Sequence, residues 1–294
     1  MIPRKNILSK IIGLLPHGAP AFIYNSTLRV PVLRDILGAI VRRSIPEKVE
    51  TNGSTIFLDR EDIAVSGSIA LKGFESFETG LFLAALRPGM KVADIGAHIG
   101  YYSLLASRTV GQAGRVFSFE PEPRNRSFLE KNVAVNGSRN VTIIAAAASD
   151  AVGEHDLYIQ KYNKGHHSFG RDGVTTGKIT VKTTTLDEAL HAYSDPALDI
   201  IKIDIEGAEP IALRGMQKTI ARSPNLVIFS EVYPRCMNKL GESAVAYLSQ
   251  LRSLGFSLSV IDDEEELVKP IENIKDFVQS IPKNAFRNII ARRG

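Results

Sequence analysis

The chain has 294 residues, 44% hydrophobic and 23% charged. That is ordinary globular usage, able to bury a core without staples, and the length fits one elaborated domain plus an appendage. The single cysteine, Cys236, excludes an internal disulfide framework and a cysteine-based zinc site; it favours a reducing compartment, so a cytoplasmic location is expected. A net charge of +4 is mild for this length and no long basic cluster occurs, which argues against nucleic acid as a partner.

Near the N-terminus, Ile7 to Tyr24 places positive residues ahead of an apolar stretch, but Lys10, Pro16, His17 and Pro20 interrupt it. No run reaches the ~18 apolar residues of a spanning helix. The stretch reads as a short amphipathic helix packed on the domain, with weak membrane-surface contact as the functional alternative and a cleaved signal as a third. Residues 1–50, with scattered prolines and basic residues, are expected to form a helical extension, and residues 51–294 the main domain. Ser54 to Gly73 alternates well enough for two short strands. FESFETGLFLAALRPGM then predicts a helix with Phe77, Leu81, Phe82 and Ala85 on one face, ended by Pro88-Gly89.

From there strands and helices alternate. KVADIGA is an apolar strand and YYSLLASRT a helix. Gly114 to Pro121 is a strand ending in an acid, and Arg124 to Asn136 a helix. Val141 to Asp150 is a strand; Leu198 to Glu209 is a strand running into a helix; Asn225 to Pro234 is a strand. AVAYLSQLRSLGF is a helix, and SLSVID and NIIARR are closing strands. This rhythm implies an α/β fold, a doubly wound, mostly parallel sheet with helices on both faces. Between Gly153 and Thr183 it breaks into an antiparallel insertion with a Gly-rich centre. Such loops stand near the ligand end of the strands.

The chemistry starts at VADIGAHIGYYS. Ligands of parallel sheets bind beyond the carboxyl ends of the strands. Gly96 and Gly100 sit at such an end and open a helix, where backbone approaches a ligand closely and free N–H groups point outward. A nicotinamide site wants G-x-G-x-x-G, and His98 stands where a glycine would be needed. Asp94 would repel a pyrophosphate but suits a cation, and S-adenosylmethionine carries an ammonium and a sulfonium and no phosphate. Glu120 ends the next strand, 26 positions after Asp94, where an acid can accept both hydroxyls of a ribose. Ala97, His98, Tyr102 and Pro121 flank these residues and are grouped with them as cofactor contacts.

VADIGAHIGYYSLLAS, VFSFEPEPRNRSFLEKNVAVN, AAAASD, TTLDEAL and DIIKIDIEGAEPIALRGM together resemble successive motifs of the FkbM-type S-adenosylmethionine-dependent methyltransferases, from about Ile56 to Glu231. The resemblance implies the class I, Rossmann-like fold with a seven-stranded sheet whose last strand is antiparallel. It also implies O-methylation, often of sugars or of lipid-like or polyketide natural products. His98 stands where that family usually has Asn. Carried over, the resemblance implies that Asp94, Gly96 and Gly100 frame the methionine part of S-adenosylmethionine. Glu120 would hold its ribose, and Ser149 and Asp150 would lie near the adenine.

It places Asp204, Glu206 and Glu209 beside the transferred methyl. Glu209 also reads as an acid complementing a helix N-terminus. Glu231, at the end of the next strand, points to the same edge. His166 and His167 lie on the insertion, where an imidazole could accept a proton near neutral pH. Asp204, Glu206, Glu231 and His167 are therefore the catalytic candidates. No ligand spacing specifies a metal, and none is expected. The acceptor is expected to be a small molecule or glycan; the oligomeric state is open. The alternatives are a non-catalytic nucleotide-binding module of the same fold and a nicotinamide-dependent oxidoreductase.

Overall fold

The computed structural model describes residues 38–39, 41–71, 73–160, 168–170 and 175–293. Most of the expected N-terminal extension, with any membrane contact it makes, lies outside them. So do His166 and His167.

The described chain opens with a hairpin, β1 (Lys48–Thr51) and β2 (Ser54–Phe57), paired antiparallel from Lys48 to Phe57. The buried Ile45, which packs into the core, and the first three residues of β1 belong to the folded body although they precede residue 51. The second strand expected after β2 is instead a helix, α1 (Val65–Ala70). Asp62 decides this locally. Its Oδ1 accepts the Val65 N–H at 3.3 Å, and the Ser66 hydroxyl accepts the Asp59 N–H at 3.1 Å. Such side-chain contacts turn a short alternating segment into a helix start. Helix α2 (Ser76–Ala85) follows as expected.

The alternating core is β3 (Lys91–Ile95), α3 (Tyr101–Val110), β4 (Arg115–Phe119), α4 (Pro123–Val135) and β5 (Val141–Ile144). The stretch expected as one strand to Asp150 breaks after Ile144. The Ala146 N–H turns back onto the Ile144 carbonyl at 2.9 Å, and β6 (Ala147–Ala148) joins a separate sheet. That sheet has the order β6-β8-β7 and is completed by β7 (Gly153–Gln160) and β8 (Thr175–Thr184), the antiparallel insertion. Next come α5 (Leu186–His191), β9 (Ile200–Ile203), α6 (Glu209–Arg214), α7 (Gln217–Ala221) and β10 (Val227–Val232). The chain closes with α8 (Pro234–Lys239), α9 (Ala244–Ser253), β11 (Phe256–Asp262), β12 (Leu267–Pro270), α10 (Ile274–Ser280) and β13 (Arg287–Arg293).

The main sheet runs β12-β11-β13-β10-β9-β3-β4-β5. β5, β4, β3, β9 and β10 are mutually parallel, and β13 is antiparallel between β10 and β11. This is the expected seven-stranded class I arrangement with one added edge strand, β12, which pairs antiparallel to β11. The strands are apolar on both sides because both faces are covered. Ile95, Phe117, Phe119 and Ile201 pack into one core, and Val92, Val116, Ile200 and Phe229 into the other. Among the described residues no helix is long and apolar enough to cross a membrane.

Candidate active site

The register of the sheet builds the site. Ile95 pairs with Phe119 and with Ile203, and Ile203 pairs with Ser230. Gly96, Glu120, Asp204 and Glu231 are the residues immediately after these, so all four stand on one edge of the sheet. They line a cavity of about 250 Å³ together with Asp94, Ala97, His98, Tyr102, Pro121 and Glu206.

One end of the cavity is collared by the turn after β3. Gly96, His98 and Gly100 all have positive φ, at 88°, 53° and 93°. A side chain on Gly96 would meet the Asp204 carbonyl oxygen at 2.0 Å. This glycine is therefore demanded by two chain crossings packing together as much as by any ligand. The Gly96 and Ala97 N–H groups donate to the Phe119 carbonyl at 3.1 and 2.9 Å. Glu120 holds the same turn through its side chain. Its Oε2 accepts from the His98 N–H and its Oε1 from the Glu122 N–H, both at 2.8 Å. Each oxygen has a second lone pair beyond these bonds, and Glu120 lines the cavity. Burial pushes its carboxyl up to about 7. Asp94, also buried, accepts from the Ser103 hydroxyl at 2.5 Å, and Ser118 lies 2.7 Å behind Ser103. Burial pushes Asp94 up to about 6, against the pull of that hydrogen bond. The His98 ring stands 3.5 Å from the buried Asp62 carboxylate.

The other end is acidic. β9 stops at Ile203, so Asp204 and Glu206 do not share a strand face as their spacing alone would suggest. Glu206 takes a left-handed φ of 55°, and that turn brings its carboxylate back toward Asp204 and Glu231. One oxygen of each of the three lies within 4.8 Å of the others. Sequence spacing gave no metal-ligand set, yet the fold assembles three carboxylates that could hold a cation. Burial, followed by repulsion from Glu206, Asp204 and Glu209, drives the Glu231 carboxyl well above its ordinary range. Glu209, at the head of α6, accepts the Ile205 and Gly207 N–H groups at 3.0 and 3.3 Å and so braces this turn from inside.

Two groups at this end were not singled out from the sequence. Lys202 is fully buried within β9. Its ammonium lies 3.3 Å from the buried Glu78 carboxylate and 3.4 Å from Asp204, and 5.0 Å from the centre of the Tyr102 ring. Those carboxylates hold it charged against the cost of burial. The signal was available: a lysine inside an otherwise apolar buried strand requires a partner. Glu75 precedes α2 with a left-handed φ of 41° and accepts the Tyr102 hydroxyl at 2.7 Å. Burial, with Glu78 nearby, pushes it up to about 8. Nothing in its sequence context marks it.

Ser149 and Asp150 are not brought to the cavity wall; Ala147 and Ala148 line it instead. The Ser149 N–H donates to the Thr184 carbonyl, and Asp150 pairs with Arg214 at 3.0 Å on the surface. Both follow β6, whose two residues reach the wall before the chain turns away. Phe169, Phe74 and Phe286 supply aromatic wall. His167 lies outside the described residues.

Comparison with known proteins fits this geometry. The model of the methyltransferase FkbM domain matches residues 94–258, more than half of the chain and the whole span from Asp94 through Glu231. The chain belongs to the FkbM methyltransferase family. It carries a methyltransferase domain. The hexuronic acid methyltransferase AglP of Haloferax volcanii is 28% identical over 151 residues, which cover 50% of this chain and 59% of that protein. Methyltransferase sdnD of Sordaria araneosa is 26% identical over 157 residues, 43% of this chain and 60% of that one. The matched regions thus span about 60% of the length of these relatives. Among solved structures, methyltransferase FkbM from Methylobacillus flagellatus aligns over 89% of this chain and 59% of its own, at 14% identity and a TM-score of 0.42. An O-methyltransferase from Bacillus cereus in complex with SAH aligns over 93% and 96%, at 12% identity and a TM-score of 0.43.

Proposed function

We propose that this FkbM-family chain is an S-adenosylmethionine-dependent O-methyltransferase acting on a hydroxyl of a sugar, glycan, lipid-like or natural-product acceptor. One observation carries the reading: a single cavity has two chemically different ends. Glu120, with its two lone pairs beside His98 and Pro121, suits the ribose of the donor. Asp94 and the Gly96 turn face the cationic methionine part. Asp204, Glu206 and Glu231 stand where the methyl and the acceptor meet.

In the reaction the acceptor oxygen attacks the methyl carbon in line. An O–C bond forms as the C–S bond breaks, and the sulfonium becomes a neutral thioether. The hydroxyl proton leaves to the acidic end of the cleft. Most of the acceleration comes from holding the two reactants in line.

Aromatic walls at Phe74, Phe169 and Phe286 suit the apolar face of a sugar or of a polyketide ring. The name of the Haloferax relative supports a sugar acceptor. The acidic end would repel a bare uronate carboxylate, so a neutral hydroxyl-bearing ring fits better. The test is transfer of labelled methyl from S-adenosylmethionine into a cell extract, followed by mass identification of the product. A labelled, base-stable methyl ether is expected. Tight binding of NAD with no affinity for S-adenosylhomocysteine would overturn the reading.

A further inference from the structure

We propose that Asp204, Glu206 and Glu231 form a binding site for one hard divalent cation of the magnesium or manganese class. Its role in catalysis rests on the methyltransferase reading above; its existence does not.

Two adjacent elements supply the ligands. Asp204 and Glu206 belong to the turn between β9 and α6, and Glu231 to the neighbouring strand β10. The turn is fixed from several sides. Glu206 sits at a left-handed φ, which persists only where its surroundings enforce it. Its carbonyl accepts the Ser168 hydroxyl at 3.1 Å, Glu209 takes the Gly207 N–H, and the Asp204 carbonyl is packed against Gly96. This strained turn brings a third carboxylate to two others, an arrangement that like charges oppose.

A second observation points to an occupant. Glu231 is 4% exposed and its Oε2 has no hydrogen-bond donor, a costly state for a carboxylate oxygen. Lys202 leans to the fully buried Glu78 as well as to Asp204, so its one charge is shared within a larger acidic set. Oxygens bound at roughly 2.0–2.6 Å stand up to ~4–5 Å apart across the ion, matching the 4.8 Å within which the three lie. A ligand set of oxygens alone selects magnesium, manganese or calcium over zinc and copper.

Three protein oxygens leave coordination positions open toward the cavity. An acceptor hydroxyl bound there would ionise more readily. Its proton would leave to water past Asp204, whose side chain is 33% exposed, and its oxygen would then take the methyl as sulfur takes the C–S electron pair.

The test uses the full chain, stripped with chelator and titrated with Mn²⁺ alone, uptake being read by calorimetry and by electron paramagnetic resonance. S-adenosylhomocysteine affinity is measured on the same samples. One bound Mn²⁺ is expected, with affinity at least tenfold weaker in Glu231→Gln and in Asp204→Asn. Asp204→Asn, at a partly exposed position, keeps the test decisive if Glu231→Gln fails to fold. No uptake at millimolar Mn²⁺ with or without S-adenosylhomocysteine, or uptake unchanged in the folded variants, overturns the site. S-adenosylhomocysteine binding without Mn²⁺ uptake removes the cation site alone, and Mn²⁺ uptake without S-adenosylhomocysteine binding removes the cofactor reading alone.

Discussion

A Cβ on Gly96 would lie 2.0 Å from the carbonyl oxygen of Asp204, so the turn after β3 and the turn after β9 touch backbone to backbone. The donor end and the acidic end of the cavity are thus one mechanical unit. Gly96→Ala combines this clash with a φ of 88° and is expected to cost about 2–6 kcal/mol in stability from strain and overpacking. Urea unfolding measures it, and S-adenosylhomocysteine affinity should fall in whatever fraction folds. Wild-type stability would show that the two turns can part cheaply.

Glu120 gives a prediction with a pH signature. Its carboxyl is held at about 7, above the ordinary 4.5. Between those values the folded apo protein keeps a proton that the unfolded chain has lost. This group's contribution to apo stability therefore falls as pH rises from about 4.5 to about 7. In the proposed role Glu120 binds the ribose as a carboxylate, so cofactor affinity should rise with pH through about 7 and level off above. Glu120→Gln should abolish that slope and weaken binding by about 1.5–3 kcal/mol, roughly 10- to 150-fold. Calorimetric titration of S-adenosylhomocysteine across pH 5.5–8.5 decides it; a slope that survives in the variant would assign the titration to another group.

Glu206→Gln keeps the shape of the side chain and removes its charge. Steady-state kinetics on the true acceptor should show kcat lower by roughly 10²–10⁴, through loss of a cation ligand or of a proton acceptor, with cofactor affinity little changed. Loss of cofactor binding with kcat preserved would reassign Glu206 to the donor. Normal values of both would move attention to Glu75, the other strained acid of the cleft.

Lys202→Met leaves the buried Glu78 without its ion-pair partner. Breaking a buried pair from one side costs about 3–5 kcal/mol. Adding Glu78→Gln should return part of that loss, because the stranded charge is then gone. Chemical denaturation of the two variants reads the coupling. Equal stability of wild type and Lys202→Met would mean that Glu78 is protonated in the native state.

Much of this was legible in the sequence, for identifiable reasons. Asp94 and Glu120 could be placed at strand ends from the strand and helix rhythm, Asp204 from the family resemblance, and the register of β3, β4 and β9 puts all three at one edge of the sheet. The sequence could not show where a strand stops short. Ile203 ends β9 and Ile144 ends β5. After the first, Glu206 turns back at a left-handed φ; after the second, Ala147 and Ala148, and not Ser149 and Asp150, line the cavity. Lys202 and Glu78 lie 124 positions apart and belong to different elements, so the lysine's need of a partner was local but the partner's identity is a tertiary fact. Glu75 reaches the cleft only because Tyr102 receives it, a contact between the start of α2 and the start of α3.

The position of β13 has a consequence for synthesis. β13 follows both of its partners in the chain yet enters the interior of the sheet, between β10 and β11. Until residues 287–293 leave the ribosome, both of those strands present unpaired edges, and Glu78 lacks the amide that Asn288 gives it. Open edges of this kind recruit other chains. A chain cut before β13 is therefore expected in the aggregated fraction, which fractionation of stop variants measures.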